Sequence, residues 1–242
     1  MSPAPIHHVL VHGGSHGAWC WDEVIAELAM QGISASAMDL PGCGADPTPR
    51  TDVTVAGCVA AVVAHIDARP EPKVRVVAHS IGGWLLPPVA AARGNRIDQL
   101  VFLAAAVLNR DQRGIDVTPS DRRAGYFTMA AASPDNSLLP PFENAWGRFF
   151  PSLPRERAEQ VYRRLTPQPF APYLQPAVTG AQNLGTPRRY LLLGDDRTFP
   201  REASTAFAAK CGVTPETLPG DHCVMLTDPA TLVGALAGPS GL

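Results

Sequence analysis

The chain has 242 residues, of which 45% are hydrophobic and 17% are charged, and its formal net charge at pH 7 is −2. This length suits one large α/β domain or two small ones, and the composition is typical of a soluble globular protein. The nearly balanced charge gives no electrostatic reason to expect nucleic acid or an anionic membrane surface as a partner.

The five cysteines are odd in number, and no two of them have Cys-x-x-Cys spacing. This pattern argues against a disulfide framework and against a zinc site, and it predicts core-packing thiols in a cytoplasmic protein. The first strand-like run begins at Ile6 without a preceding basic region, so no signal peptide is expected. The most apolar long window, 74–92, contains charged residues, glycines and prolines, and therefore predicts a strand, a turn and a helix rather than a membrane span.

Short apolar runs alternate with helix-length segments along most of the chain. The predicted strands are 6–11, 33–38, 74–78, 100–104, 190–193 and 214–218, and the predicted helices are 19–30, 53–68, 83–93, 201–211 and 230–237. Gly32 is placed to end the first helix as a left-handed cap. The strands are continuously apolar, which indicates that helices cover both faces of the sheet. We therefore predict an α/β fold with a doubly wound, mainly parallel sheet of about six strands.

The alternation breaks between residues 108 and 184, where prolines and aromatic residues are frequent and no strand is predicted. A mostly helical cap inserted at 108–184 between core segments 1–107 and 185–242 fits this pattern. Such a cap would form an aromatic roof above the carboxyl ends of the strands, where open α/β sheets bind ligands. Alternatively the aromatic residues form only the insertion's own core. We expect some of them to cover the site and others to pack in that core.

Ser80 lies between a predicted strand and a predicted helix, with Ala78 two residues before it and Gly82 two residues after it. Small residues at these two positions are typical of the nucleophile elbow, a sharp turn that holds a reactive serine clear of the sheet. Glycine is usual at the first position, so Ala78 weakens the pattern.

A serine nucleophile needs a base and an orienting acid, which follow it in this fold type in the order serine, acid, histidine. His222 follows the last predicted strand and is the preferred base. Asp196 is the preferred acid because it lies further into the loop after strand 190–193, with Asp195 as the alternative; Asp221 is too near His222 in sequence for good side-chain geometry. The remaining histidines that we considered are less suitable as bases: His7, His8, His12, His65 and His79.

The glycine-rich loop 12–17 follows the first strand. Its Gly14 N–H and the N–H of Ile81 are candidates for the oxyanion hole, and the helix that starts at Ile81 adds positive potential there. A dinucleotide site, with Asp39 as its acidic residue, is the rival interpretation. That motif requires glycine where His12 stands, so we interpret Asp39 as a structural residue of its turn.

Together these pieces resemble the α/β-hydrolase superfamily and, within it, the plant methylesterase and hydroxynitrile lyase group with its bacterial esterase relatives. The stretches that carry the resemblance are 9–14, 16–21, 39–40, 78–83, 101–105 and 220–226. Alanine before the His-Ser pair recurs in this group, which accounts for Ala78. The resemblance implies a Ser80, Asp196 and His222 triad, oxyanion donors at Gly14 and Ile81, and no cofactor or metal.

The resemblance also separates two chemistries. The lyase branch tends to carry threonine where this chain has Gly13, and lysine where it has Cys223, so ester hydrolysis is favoured. Ala106 stands where plant members often have an aromatic residue, which implies a roomier pocket. The residues expected to line that pocket are Gly13, Ala106, Phe127, Trp146 and Phe149.

These inferences predict a serine esterase that hydrolyses a small, apolar or aromatic carboxylic ester through an acyl-enzyme intermediate. The alternative is a non-hydrolytic member of the fold, such as a lyase, cyclase or ligand-binding protein, that uses the same pocket. No nucleic acid or membrane partner is expected, and a homodimer is one candidate for the oligomeric state. The sequence does not identify the acyl and alcohol groups.

Overall fold

The computed structural model describes residues 6–182 and 184–238, so the outermost ends of the predicted core segments lie outside the described residues. Eight strands lie in this part of the chain. In chain order they are β1 His7–Val11, β2 Ala35–Met38, β3 Val74–His79, β4 Ile97–Leu103, β5 Ser137–Leu138, β6 Gln168–Pro169, β7 Arg188–Leu193 and β8 Glu216–Leu218.

Eleven α-helices lie within the described residues. They are α1 Asp22–Met30, α2 Val55–Asp67, α3 Leu86–Arg93, α4 Gly114–Val117, α5 Ser120–Ala132, α6 Phe142–Phe149, α7 Arg155–Tyr162, α8 Ala171–Leu174, α9 Arg201–Cys211, α10 Val224–Thr227 and α11 Pro229–Ala237. Short 3₁₀ helices occupy Ala18–Trp21, Arg50–Asp52, Ser80–Leu85 and Gly94–Arg96. None of the helices in this part of the chain is both long enough and apolar enough to cross a membrane.

Six strands form one parallel sheet in the order β2-β1-β3-β4-β7-β8. The predicted doubly wound parallel sheet is confirmed, and each predicted strand overlaps an observed one. Val11 pairs with Ala78, and His79 pairs with Leu103. Because the strands are parallel, the loops that follow β1, β3, β4 and β7 meet at one edge of the sheet.

Alternate residues of the central strands pack on opposite faces, as the pleat of a strand requires. Val9 and Val11 belong to one buried cluster, whereas Leu10 between them belongs to a second cluster with Trp21. All five cysteines are buried and free, as expected of core-packing thiols. Gly32 has a φ of +74° just beyond α1, which confirms the predicted left-handed cap.

The predicted helix 83–93 is divided in the structure. The chain forms the 3₁₀ helix Ser80–Leu85 first, and α3 begins only at Leu86. Pro87 and Pro88 lie in the first turn of α3, where their missing N–H groups leave no intrahelical bond unmade.

Residues 108–184 contain α4 to α8, in agreement with a mostly helical insertion. The expectation of no strand there is wrong, because β5 and β6 pair in an antiparallel ribbon. Each of these strands has only two residues, and Pro169 occupies one of them. Two residues are too few for a strand periodicity to be read from the sequence.

Candidate active site

Ser80 lies at the sharp turn between β3 and the 3₁₀ helix Ser80–Leu85, with a φ of +54°. Few non-glycine residues adopt this left-handed conformation, and it costs about 1–3 kcal/mol. The turn is tightly enclosed, since a Cβ atom on Gly82 would lie 2.8 Å from the carbonyl oxygen of His12. Ala78 is fully buried in β3. The backbone around Ser80 therefore has the strained, small-residue geometry that the sequence predicts for an elbow.

The structure brings Ser80, His222 and Asp196 into one buried hydrogen-bonded chain. His222 Nε2 is 3.0 Å from Ser80 Oγ, and His222 Nδ1 is 2.8 Å from Asp196 Oδ2. A carboxylate only accepts, so Nδ1 carries the ring proton and Nε2 is left to accept the serine hydroxyl proton. In this arrangement Ser80 can be deprotonated by the imidazole as it attacks an electrophile.

Asp196 is fixed by its own loop. Its Oδ1 accepts the backbone N–H groups of Thr198 at 2.6 Å and Phe199 at 3.0 Å, which leaves Oδ2 for the histidine. Asp195, the alternative acid, is exposed. Asp221 bonds instead to the Ser152 and Thr227 side chains. Of the three carboxylates Asp195, Asp196 and Asp221, the structure thus directs Asp196 to the imidazole of His222.

Aromatic rings pack around His222. The rings of Phe149 and Phe199 have centroids 6.0 Å and 5.5 Å from that of His222. The ring of His79, a histidine considered less suitable as a base, lies 4.6 Å from that of His222, and its Nε2–H donates to the His222 carbonyl at 2.8 Å. Burial, followed by the neighbouring His222 and His16, holds the pKa of His79 well below its usual value, so His79 is a neutral support for the loop.

Two histidine rings hold backbone carbonyl groups of the loop after β1. His12 Nδ1–H donates to the carbonyl of Gly13 at 2.7 Å, while His12 Nε2 accepts the N–H of Leu40. His16 Nδ1–H likewise donates to the carbonyl of Gly14 at 2.8 Å. The peptide between Gly13 and Gly14 is therefore held by its oxygen, which fixes the direction of the Gly14 N–H.

Gly14, Ile81 and Ser80 line the same cavity. The N–H of Ile81 lies in the first turn of its 3₁₀ helix, where backbone donors have no intrahelical partner. Gly14 is next to it, since a Cβ atom on Gly14 would be 3.2 Å from Ile81 Cδ1. Two backbone donors beside a serine hydroxyl are the arrangement that stabilises an oxyanion in acyl transfer.

Asp39 has the structural role inferred from the sequence. Its carboxylate accepts the backbone N–H groups of Ala18 at 2.7 Å and Ala45 at 3.0 Å. Both oxygens of Asp39 thus hold the two turns together. The rival interpretation of loop 12–17 as a dinucleotide site therefore loses its acidic residue, because this carboxylate is already occupied.

The cavity above Ser80 encloses about 740 Å³, including its open mouth. Ala106 and Phe149 line it, as expected. Gly13 does not line it but lies beneath it, where a Cβ atom would be 2.7 Å from His79 Nδ1 and 2.8 Å from Ser80 Cβ. A side chain at position 13 would thus displace the elbow.

Phe127 and Trp146 also lie outside the cavity lining. Phe127 is 47% exposed and contacts Phe170, while Trp146 stacks on Phe142 and donates its indole N–H to a backbone carbonyl. Helix α5 instead turns positions 122, 126 and 129 towards the cavity, at helical spacing. The rotation of α5 about its axis decides which of its side chains face the cavity, and the presence of aromatic residues in the helix does not predict that rotation.

Several lining residues were missed by sequence reasoning. They come from the segment 108–184, from the 3₁₀ helix after Ser80 and from the loop after β7: Trp84, Thr118, Arg122, Tyr126, Met129, Leu138, Arg148, Gln168, Tyr173, Thr198 and Phe199. The spacing i, i+4, i+7 within α5 is the one signal in the sequence that could have identified three of them together.

Comparisons with known proteins agree with this architecture. The sequence model of the α/β hydrolase family matches residues 9–235. A putative chloroplastic methylesterase 11 of Arabidopsis thaliana is 30% identical over 203 residues, which are 77% of this chain and 50% of that protein. The putative chloroplastic methylesterase 15 of the same plant is 28% identical, over 79% of this chain and 46% of that protein. The chain thus spans about half the length of these curated relatives.

Solved structures give the same result for the fold. An extracellular α/β-hydrolase from a Paenibacillus species superposes with a TM-score of 0.87 at 24% identity, over 96% of this chain and 98% of that one. A pyrethroid hydrolase from Sphingobium faniae JZ-2 superposes with a TM-score of 0.78 at 22% identity, over 96% of each chain. From its sheet, its elbow and these matches, the chain belongs to the α/β hydrolase family and is related within it to the plant methylesterases.

Proposed function

We propose that the protein is a serine esterase that cleaves a small-molecule carboxylic ester through an acyl-enzyme intermediate. The observation that carries this proposal is the hydrogen-bonded chain from Ser80 through His222 to Asp196, with distances of 3.0 Å and 2.8 Å. The relationship to methylesterases and esterases supports the same reaction class.

In the proposed reaction the oxygen of Ser80 attacks the ester carbonyl while His222 Nε2 takes the hydroxyl proton. The negative charge that develops on the carbonyl oxygen is stabilised by the N–H groups of Gly14 and Ile81. His222 then gives its proton to the leaving alcohol, and a water molecule activated by the same imidazole releases the acid. General acid–base and oxyanion contributions are each about 10²- to 10⁴-fold in such sites.

We also propose that residues 108–184 act as a cap over the core formed by 1–107 and 185–242. This segment supplies Tyr126, Phe149 and Tyr173 to the cavity above Ser80, so substrate selection falls largely to it. An apolar or aromatic substrate, a cytoplasmic location and a homodimer stay predictions.

The proposal is tested with a panel of short-chain and aromatic esters and with mass spectrometry after treatment with a fluorophosphonate probe. Wild-type protein is expected to hydrolyse at least one ester and to carry the probe on Ser80, whereas Ser80→Ala loses both. The matched control is Ser120→Ala, which removes an exposed serine hydroxyl outside the cavity lining and should keep both activity and labelling.

Full ester hydrolysis by Ser80→Ala would overturn the proposal. Labelling of Ser80 without turnover of any ester would favour the alternative, a non-hydrolytic reaction or ligand binding in the same cavity.

A further inference from the structure

Two arginine side chains line the cavity above Ser80, and neither forms an ion pair with any residue in the described ranges 6–182 and 184–238. Arg122 comes from α5 and Arg148 from α6, and both are half-buried. Arg122 Nη2 donates to the Thr198 carbonyl at 2.8 Å, and Arg148 Nη2 approaches the Tyr126 hydroxyl at 3.5 Å. Each guanidinium has five N–H donors, so most of this capacity is unused by the protein.

The charges of these two groups are not compensated locally. A guanidinium stays protonated even when burial opposes it, and an unpaired buried charge is unfavourable. Burial, followed by the charge of Arg148, lowers the pKa of Arg122 from its usual value, while Asp121 and Asp196 oppose this only through their field. Asp196 is already occupied by His222 and its own loop. An anion placed at the two arginines would relieve both the repulsion and the unpaired burial.

Both arginines are tied to the wall that holds the histidine and its acid. Arg122 bonds to Thr198, two residues after Asp196. The Thr198 hydroxyl donates to the carbonyl of Arg148 at 3.2 Å, and the guanidinium of Arg148 lies 5.0 Å from the ring centroid of Phe149, which packs on His222. The positive charges are therefore part of the reaction cavity rather than of a separate surface.

We propose that Arg122 and Arg148 bind a carboxylate of the substrate, so that the preferred ester carries an ionised acid group in addition to the ester that is cleaved. A monoester of a dicarboxylic acid is the simplest molecule of this class. This inference rests on the proposed esterase function and names the substrate class of that same site.

Planar guanidinium groups form paired hydrogen bonds with carboxylates and with phosphates alike, so the rest of the cavity decides between them. The cavity lining includes Met129, Leu138 and Phe199, which make the desolvation of a doubly charged phosphate more unfavourable than that of a single carboxylate. The substrate expected is therefore apolar in its middle and anionic at one end.

The first test compares the monomethyl and dimethyl esters of adipic acid, which differ in one charge. For wild-type protein, kcat/KM is expected to be roughly tenfold or more higher for the monoester, as one charge-assisted contact would give. In Arg122→Gln and Arg148→Gln the ratio of the two kcat/KM values should fall about tenfold, towards one, mainly through KM. Arg197→Gln is the matched control, because Arg197 lies in the loop of Asp196 and Thr198 but is exposed and outside the cavity lining, and its ratio should equal that of wild type.

A second readout does not require turnover. Ser80→Ala protein is titrated by calorimetry with monomethyl adipate, dimethyl adipate and adipate. Hexyl phosphate is titrated in the same way to represent a phosphate ligand. Binding of the monoester should weaken about tenfold or more when either arginine is also replaced by glutamine, and hexyl phosphate should bind more weakly than the monoester.

An unchanged monoester-to-diester ratio in both arginine variants would overturn the carboxylate assignment while leaving esterase activity intact. Tighter binding of hexyl phosphate than of the monoester would also overturn it. If wild-type protein cleaves no ester, the esterase proposal fails, and arginine-dependent binding of the monoester in the calorimeter would still support the anion site.

Discussion

Asp196→Asn is the sharpest test of the proposed relay, because the structure predicts which way the amide will face. Asp196 Oδ1 accepts two backbone N–H groups, from Thr198 at 2.6 Å and Phe199 at 3.0 Å, and Oδ2 faces His222 Nδ1 at 2.8 Å. Asparagine has one oxygen and one NH₂ group to serve these two sides. If the oxygen faced the histidine, the NH₂ group would oppose both backbone donors.

Leaving two buried donors unsatisfied costs about 2–6 kcal/mol in total, at about 1–3 kcal/mol each. The amide NH₂ is therefore expected to face His222 Nδ1, which must then accept. The imidazole proton moves to Nε2, where it blocks transfer of the Ser80 proton. An energy gap of this size leaves between roughly one molecule in 30 and one in 3 × 10⁴ with the productive tautomer, since 1.36 kcal/mol is a tenfold ratio.

We expect kcat for the best ester to fall by about 10³- to 10⁴-fold, as when the same residue type is changed in other serine triads. The unfolding temperature should change little, because both backbone hydrogen bonds are kept. Asp195→Asn is the matched control, one residue away and exposed, and should retain wild-type kcat. A loss of less than tenfold in Asp196→Asn, or an equal loss in Asp195→Asn, would refute the reasoning.

Three further predictions concern the scaffold of the site. Gly82→Ala places a Cβ atom 2.8 Å from a backbone carbonyl oxygen, so it should lower the free energy of unfolding by about 1–3 kcal/mol and reduce kcat. Gly125→Ala, which has open space around it in α5, should instead raise the free energy of unfolding by about 0.4–1 kcal/mol. Denaturant titration compares the two variants, and equal effects would contradict this prediction. Burial lowers the pKa of His8 to about 4, so below about pH 6.5 the unfolded chain binds a proton that the folded chain does not, and the free energy of unfolding should fall as the pH drops from 6.5 towards 4. In His8→Leu the dependence of this free energy on pH should become weaker, and an unchanged dependence would exclude His8 as its source. Gln168 accepts the N–H of Ser15 at 3.1 Å, so Gln168→Met should loosen the oxyanion loop and lower kcat about tenfold with KM nearly unchanged; an effect confined to KM would instead indicate direct contact with substrate.

Much of the fold could be predicted from local pattern. The continuous apolar runs and the glycine after α1 were sufficient for the parallel sheet and its helical layers. The observed strand boundaries differ from the predicted ones where strand pairing sets them. Strand β4 was predicted to begin at residue 100 but begins at Ile97, because Ile97 pairs with Val74. The ribbon of β5 and β6 was not predictable, since strands of two residues exist only through the partner that completes them.

The sequence by itself indicated those features of the candidate site that depend on residues close together in the chain. The turn around Ser80 needs small residues at positions 78 and 82, so it can be predicted from the sequence. The order of serine, acid and histidine along the chain is that of the predicted fold type. The candidate acid could be narrowed to two adjacent aspartates, because both follow the same strand.

Only the tertiary structure decided which side chains meet. It directs Asp196 rather than Asp195 to His222, because two backbone N–H groups of the loop hold one oxygen of Asp196 in place. It turns Tyr126 rather than Phe127 towards the cavity, and it brings Arg122 and Arg148 from two helices to one wall. The direction of a helical side chain depends on how the helix is rotated against its neighbours, and that rotation is set by packing between segments far apart in sequence.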